Sequence, residues 1–331
     1  MSKIREIGVD LAKAKKYREA MYLLEKAACN GDIDAINDMG VVHERNRNYE
    51  KAMEMYQFAA LFGSSVAIHN AGNLYEQGRG VEKNNGLALI LYKRAANLNY
   101  AHAFFKIASF YQTGKAVEKN EKKAFEWAMK GAKLELKTDD QSACLVTVGY
   151  YYELGIGVKK NINKALKYYK LASERNDVVG KFNTALIYLY KKGNKKNVKL
   201  GIDLLVETSK ENYPDSFAEL AILYKEGKLV EKDPEIADYW LTKGLKTRSW
   251  RALLLYSEMC LSGDNPDGKK NIEAATNALA IFLKESGEYL EDYLYQYNGI
   301  KEEYKDEINW EDLENNPDLF IENKKEEKCL A

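Results

Sequence analysis

Apolar and small residues recur along this chain with the period of an α-helix, in segments separated by glycine-containing loops. The stretch 66–97 shows the pattern clearly. Its first half carries four such residues at the spacing i, i+3, i+4, i+7: Ile68, Ala71, Gly72 and Tyr75. Residues 78–81, Gly-Arg-Gly-Val, interrupt the pattern because glycine readily adopts positive φ after a helix, and a second face of the same period follows. The stretch therefore predicts two helices joined by a loop.

The same helix pair recurs through most of the chain. The first small residue of the second helix returns at intervals of 32 to 41 residues: Ala20, Ala52, Ala88, Ala124, Ala165, Gly201, Ala237 and Ala275. Another small residue follows seven positions later in each copy except the last, where Phe282 takes its place. Neither helix of a pair can bury its apolar face alone, whereas stacked pairs can. The repeats therefore predict an all-α solenoid of about eight helix-turn-helix units.

The loops and second helices resemble those of the Sel1-like repeat family, which is related to the tetratricopeptide repeat. Residues 78–81 with 93–96, Lys-Arg-Ala-Ala, are similar to the family pattern, as are 155–158, Gly-Ile-Gly-Val, with Lys164 and Ala165. The resemblance implies a right-handed superhelix. It also implies a role in protein–protein interaction, usually as an adaptor, without catalytic activity.

The repeat period is lost near the C-terminus. We expect a repeat solenoid over residues 1–284 and an acidic, tyrosine-rich segment of capping helices and tail over 285–331. The latter holds fifteen acidic and five basic side chains, a net charge of −10 in a chain whose charges balance. One interpretation is a solvated polar cap on the last pair. The alternative is that the acidic tail docks into a basic groove of the same or another copy, which would allow self-association. The longest interval, around 131–142, predicts a hinge.

The apolar runs and the cysteine spacing of the sequence bear on where the protein is located. No apolar run reaches the eighteen or more residues of a membrane span, and residues 1–17 lack the apolar core of a signal peptide. The cysteines are far apart and form no CxxC pair: Cys29, Cys144, Cys260 and Cys329. This spacing favours buried free thiols in a reducing compartment, so we expect a cytoplasmic protein.

The sequence carries no recognisable catalytic or cofactor motif. The Gly-x-Gly loops follow helices, whereas a dinucleotide fingerprint follows a strand and has a third glycine. The three histidines, His43, His69 and His102, have no carboxylate or thiol at ligand spacing. We therefore expect no enzyme activity, no cofactor and no metal site, with the histidines partly exposed. Nucleic-acid binding through lysine-rich loops such as 192–199 is a weak alternative, because arginine is scarce and the C-terminus is acidic.

The resemblance also implies where a partner binds. In tetratricopeptide-like arrays the concave wall is lined by first-helix positions at fixed offsets from a closing tyrosine. Transferred to this chain, they give the following candidates: His69, Asn73, His102, Phe105, Ser109, Val146, Tyr150, Lys181, Tyr188 and Ile222. Phe105, Tyr150 and Tyr188 would be the aromatic anchors for a peptide or helix. Alternatively, the two tyrosines fill gaps between neighbouring first helices.

The favoured function is thus a non-catalytic adaptor or scaffold that binds another protein or peptide in its concave groove. A more specific alternative is an inhibitor or immunity protein that masks a toxin or enzyme. The acidic tail would suit a basic target.

Overall fold

The chain folds as an array of α-helices in two units, 1–180 and 181–331. A computed structural model describes residues 2–134, 141–191, 194–264, 268–286 and 290–321, without the side chains of 290–294 and 319. These residues form helices and turns, with no strand among them. The all-α solenoid class predicted from the repeats is confirmed.

Unit 1 contains five helix pairs. Their helices are α1 (Lys3–Lys13), α2 (Tyr17–Cys29), α3 (Ile33–Arg45), α4 (Tyr49–Leu61), α5 (Ser65–Gln77), α6 (Asn85–Asn97), α7 (Ala101–Thr113), α8 (Glu121–Ala132), α9 (Ser142–Leu154) and α10 (Ile162–Ser173). We call the first helix of each pair its A helix and the second its B helix. The two members of a pair pack against each other, and the B helices α2, α4, α6 and α8 also contact the next A helix. The predicted pair at 66–97 is therefore α5 and α6.

Unit 2 continues the pattern and ends in additional helices. The helices from residue 178 onward are α11 (Val178–Leu186), α12 (Lys195–Lys210), α13 (Pro214–Glu226), α14 (Pro234–Lys246), α15 (Trp250–Ser262), α16 (Ile272–Ser286), α17 (Leu290–Glu303) and α18 (Trp310–Asn315). A π-helical turn (Ile187–Lys191) follows α11, and a 3-10 turn (Pro317–Leu319) follows α18. The first residues of α11 still belong to unit 1. Helices α17 and α18 belong to the core of this unit. Phe282 is fully buried and its ring centroid lies 5.7 Å from that of Tyr297, so the large residue of the last pair is covered by α17.

Two sequence predictions fall largely outside the described residues. The proposed hinge centres on 135–140, and the end of the acidic tail is 322–331. The predicted division of the chain at residue 284 stays a prediction. The boundary between the two compact units of the structure is a separate feature and lies after Gly180.

The two glycines of the Gly-x-Gly loop have different tasks. Gly78 ends α5 in the left-handed conformation, with φ of 68°. Gly80 has φ of 67°, and a Cβ there would lie 2.6 Å from the backbone carbon of Tyr49. A Cβ at Gly157 would likewise overlap the backbone carbonyl of Glu121. The second glycine therefore lets the loop touch the start of the preceding B helix, which joins one pair to the next.

Three pairs of unit 1 share a coupled glycine, tyrosine and glutamate. These triplets are Gly40, Tyr56 and Glu44; Gly72, Tyr92 and Glu76; and Gly149, Tyr169 and Glu153. In each triplet, the tyrosine ring of the B helix is fully buried and packs against the A-helix glycine, which has no side chain in the way. The tyrosine hydroxyl donates a hydrogen bond to the glutamate, which lies four residues after the glycine on the A helix. Burial, followed by the nearby glutamate, raises the pKa of each tyrosine, so the hydroxyl stays protonated as a donor.

Candidate functional site

The A helices of unit 1 form a continuous surface, which we call the A-helix wall: α1, α3, α5, α7 and α9. Polar side chains link its first three helices. Arg5 Nε donates to Asp38 Oδ2 at 2.6 Å, and Asn70 Nδ2 donates to Asn37 Oδ1 at 3.0 Å. Each link joins residues 33 positions apart, one more than the interval between Gly8, Gly40 and Gly72, so adjacent positions of the repeat are paired on successive A helices.

Glu76 is the centre of the link between α5 and α7. Its carboxylate accepts from Lys106 Nζ at 3.0 Å, from Lys115 Nζ at 3.1 Å and from the Tyr92 hydroxyl at 2.7 Å. Burial alone would raise the pKa of Glu76, but the charge of Lys106 and these three hydrogen bonds outweigh burial and lower it. The carboxylate is therefore ionised and held in place. On α7, Gln112 accepts from the Tyr151 hydroxyl of α9 at 2.9 Å, which extends the linked surface.

His69 lies in an aromatic cluster behind this wall. Its ring centroid is 5.2 Å from that of Tyr92, 5.1 Å from Tyr100 and 5.7 Å from His102. His69 is only 3% exposed, so the expectation of a partly exposed histidine was wrong at this position. Burial, with smaller contributions from His102 and Lys106, lowers the pKa of His69 to about 3, and its Nδ1 has no hydrogen-bond partner. The ring is therefore neutral and acts as a packing residue.

The other candidates of unit 1 reach the surface to different degrees. Tyr150 is the most accessible, at 42% exposure. The remaining ones are half-buried: Asn73, His102, Phe105, Ser109 and Val146. Asn73 Oδ1 lies 2.7 Å from the Tyr92 hydroxyl, and the Phe105 ring centroid lies 5.8 Å from that of His102. The structure thus brings His102 and Phe105 together, and presents Tyr150 to solvent on α9.

The candidates in unit 2 are described separately. Lys181 is 6% exposed, and its ammonium donates to Glu207 of α12 and to Glu211, the C-cap of that helix, each at 2.7 Å. These hydrogen bonds raise its pKa, so Lys181 is a buried ion-pair residue, and the expectation of a wall position open to a partner was wrong for it. Tyr188 and Ile222 are half-buried, and Ile222 packs against the core of this unit.

The sequence interpretation missed the polar residues that hold the first helices together. In unit 2, Glu219 is 2% exposed, accepts a hydrogen bond from the Tyr190 hydroxyl and forms a salt bridge with Arg251 Nη2 at 2.6 Å. In unit 1 the missed residues include Arg5 and Glu76. Their signal in the sequence is pairing at an interval close to the repeat length, such as Arg5 with Asp38.

The cysteines that the structure describes differ in burial. The Cys144 thiol donates to the Ala101 carbonyl at 3.3 Å, and burial raises the pKa of Cys144 to about 12, so it is not a thiolate nucleophile. Cys260 is also buried, as expected, whereas Cys29 is exposed, contrary to expectation. Across the described ranges, no three His, Cys, Asp or Glu side chains converge as metal ligands. Likewise, no described helix has the length and apolar character of a membrane span.

Comparison with known proteins identifies similar repeats. The family model described as Sel1 repeat matches six segments that together cover more than half of the chain, fewer than the eight pairs predicted: 8–32, 34–61, 65–100, 101–135, 144–177 and 218–246. A sel1-like repeat-containing protein of Acanthamoeba polyphaga mimivirus is 35% identical over 75 residues, which are 23% of this chain and 14% of that protein.

Two solved structures are also similar in fold. The crystal structure of a Sel1 repeat protein from Oxalobacter formigenes has a TM-score of 0.61 and 25% identity, covering 73% of this chain and 99% of the other. That of an immunity protein from Pseudomonas aeruginosa has a TM-score of 0.46 and 16% identity, covering 61% of this chain and 74% of the other.

Proposed function

The chain belongs to the Sel1 repeat family, and on that premise we propose that it is a non-catalytic adaptor that binds another polypeptide on the A-helix wall of unit 1. The observation that carries the proposal is the linked polar surface from α1 to α9, with Tyr150 exposed at one end of it. Repeat arrays of paired helices use such extended surfaces for binding.

Fixed side chains make a wall suitable for binding. A side chain that is already ordered loses little conformational entropy when a partner binds, and so adds more to affinity. The three hydrogen bonds to Glu76 order Lys106 and Lys115 in this way. Tyr150 adds a large amphipathic ring, the type of side chain that commonly anchors an interface.

Charge can orient the partner along the wall. Around Arg5 on α1 and α3 stand three carboxylates, of which the Asp34 side chain is 58% exposed. Further along, Lys106 and Lys115 share the single carboxylate of Glu76. A polypeptide with a basic and an acidic end would match this order in one direction only.

Tyr150→Lys should weaken binding of the partner at least about 30-fold, as expected when a charged side chain replaces an aromatic anchor of an interface. The partner is first captured with the full chain from a lysate and identified by mass spectrometry, and affinities are then measured by calorimetry. Tyr22→Lys is the matched control, because Tyr22 is 66% exposed but lies on a B helix. Equal affinities for the parent chain and Tyr150→Lys would refute the wall as the binding site.

The inhibitor role is a second candidate, favoured by the net charge of −10 in residues 285–331. If the partner is an enzyme or toxin, this charge should accelerate association with a basic target. Neutralising three exposed acidic residues, as Glu302→Gln, Asp306→Asn and Glu311→Gln, should then slow association at low salt and weaken inhibition. A captured partner whose activity is unaffected by the full chain would leave only the adaptor role.

A further inference from the structure

The B helices α4 and α6 both expose apolar side chains. The exposed fractions are 49% for Phe58, 79% for Leu61, 41% for Leu87 and 62% for Ile90. We call these four residues the B-face patch. They line a groove of about 640 Å³ between α4 and α6, whose floor is provided by α5. A contiguous apolar surface of this kind on a soluble chain generally marks an interaction site.

The patch is a local feature and is not required by the repeat. Positions can be compared through the small residue that aligns the B helices. The positions of Leu87 and Ile90 are occupied in α8 by Lys123 and Glu126, and in α10 by Lys164 and Lys167. These four charged residues are all exposed. Since charged residues occupy the same positions in neighbouring pairs, the apolar side chains of Leu87 and Ile90 are not needed to hold the helices together.

The charges beside the patch suggest its occupant. Arg94 Nη2 donates to the Ala60 carbonyl at 3.3 Å, which places the guanidinium at the C-terminal end of α4. Glu54 lies six residues earlier, about 9 Å along the same helix at 1.5 Å per residue. Phe58 and Leu61 lie on the same face as Glu54, at i+4 and i+7. The groove therefore has apolar side chains along its length, with Glu54 at one end and Arg94 beside Leu61 at the other.

The charges at the two ends of the groove are complementary to those of a second, identical groove placed antiparallel to it. When two identical helices cross antiparallel about a two-fold axis, the anionic end of each faces the cationic end of the other. We infer that the B-face patch is the interface of a homodimer, in which α4 packs antiparallel against α4 of a second copy and Glu54 of each copy pairs with Arg94 of the other. Leu61, the most exposed of the four, enters the groove of the second copy. The interface uses B helices, so it is separate from the A-helix wall and does not depend on the proposed function.

The full chain should sediment as a concentration-dependent dimer, measured by analytical ultracentrifugation from about 1 to about 100 μM. The double variant Leu61→Lys with Ile90→Lys should raise the dimer dissociation constant at least about 100-fold, because the two lysines place charges on the apolar surface of the interface. Leu154→Lys is the control: Leu154 is 51% exposed but lies at the end of an A helix, outside the groove. Circular dichroism checks that all variants remain folded.

A charge exchange distinguishes this geometry from other contacts. Glu54→Arg and Arg94→Glu should each weaken the dimer, because each brings like charges together at both ends of the interface. The two substitutions combined should restore it. A chain that stays monomeric at all these concentrations, or a dimer that is insensitive to the Leu61 and Ile90 substitutions, would overturn the inference. So would a monomeric chain whose groove binds a helix of a different protein.

Discussion

Gly149→Ala is expected to destabilise unit 1 by about 2 kcal/mol, within the range of about 1–3 kcal/mol for overpacking a core. A Cβ at this position would lie 2.6 Å from both Cδ1 and Cε1 of Tyr169. The tyrosine ring is 1% exposed, and its hydroxyl donates to Glu153 at 2.9 Å. The ring cannot move away without losing this hydrogen bond, so the backbones of α9 and α10 must separate. Urea denaturation of the full chain measures the effect.

The chain itself suggests the compensating change. In unit 2 the equivalent positions of the α13/α14 pair hold Ala221 and Leu241, both buried in one core cluster. Gly149→Ala combined with Tyr169→Leu should therefore cost less than the sum of the two single substitutions. Gly86→Ala is the control, since a Cβ there would meet only the side-chain oxygen of Asn84, at 3.3 Å, and alanine favours the helix. Strictly additive effects of the two core substitutions would show that the ring does not fill the space above Gly149.

The second large effect is on the pH dependence of stability. His69 has a pKa of about 3 in the folded chain, against about 6.5 when unfolded. Below pH 6.5 the unfolded chain binds a proton at this residue that the folded chain does not bind. Stability should therefore fall as the pH decreases from about 6.5 to about 3, and the part due to His69 should reach about 2 kcal/mol by pH 5.

His69→Phe isolates this contribution. Carboxylates such as Glu76 also titrate at acidic pH, but they are present in both proteins and largely cancel in the difference. The free energy of unfolding should decrease less with falling pH in His69→Phe than in the parent chain. Phenylalanine also removes the unpaired Nδ1, so the variant should be no less stable at pH 7. Parallel pH profiles for the two proteins would mean that the pKa of His69 in the folded chain is close to its value in the unfolded chain.

The pairing of a buried tyrosine with a glycine is visible in the sequence only when the repeats of the chain are compared with one another. Glycine, tyrosine and glutamate occur together in three pairs, as in Gly72, Tyr92 and Glu76, whereas the α7/α8 pair has Ala108 and Ala128 at the first two positions. A large B-helix ring is thus accompanied by a missing A-helix side chain. The apolar periodicity predicts Gly72 on the buried face, where it lies, but it does not specify which ring packs against the glycine.

Helix positions, their pairing and the repeat type were determined by the sequence alone, because periodicity, caps and glycine loops act within a few residues. Exposure was decided only in the tertiary structure. His69 and Lys181 were expected on an open wall and are buried, while Tyr150 is exposed. The apolar surface of α4 and α6 was likewise not anticipated. The side chains that cover His69 and Lys181 come from segments 23 to 33 residues away, such as Tyr92, His102 and Glu207. A local pattern does not specify those side chains.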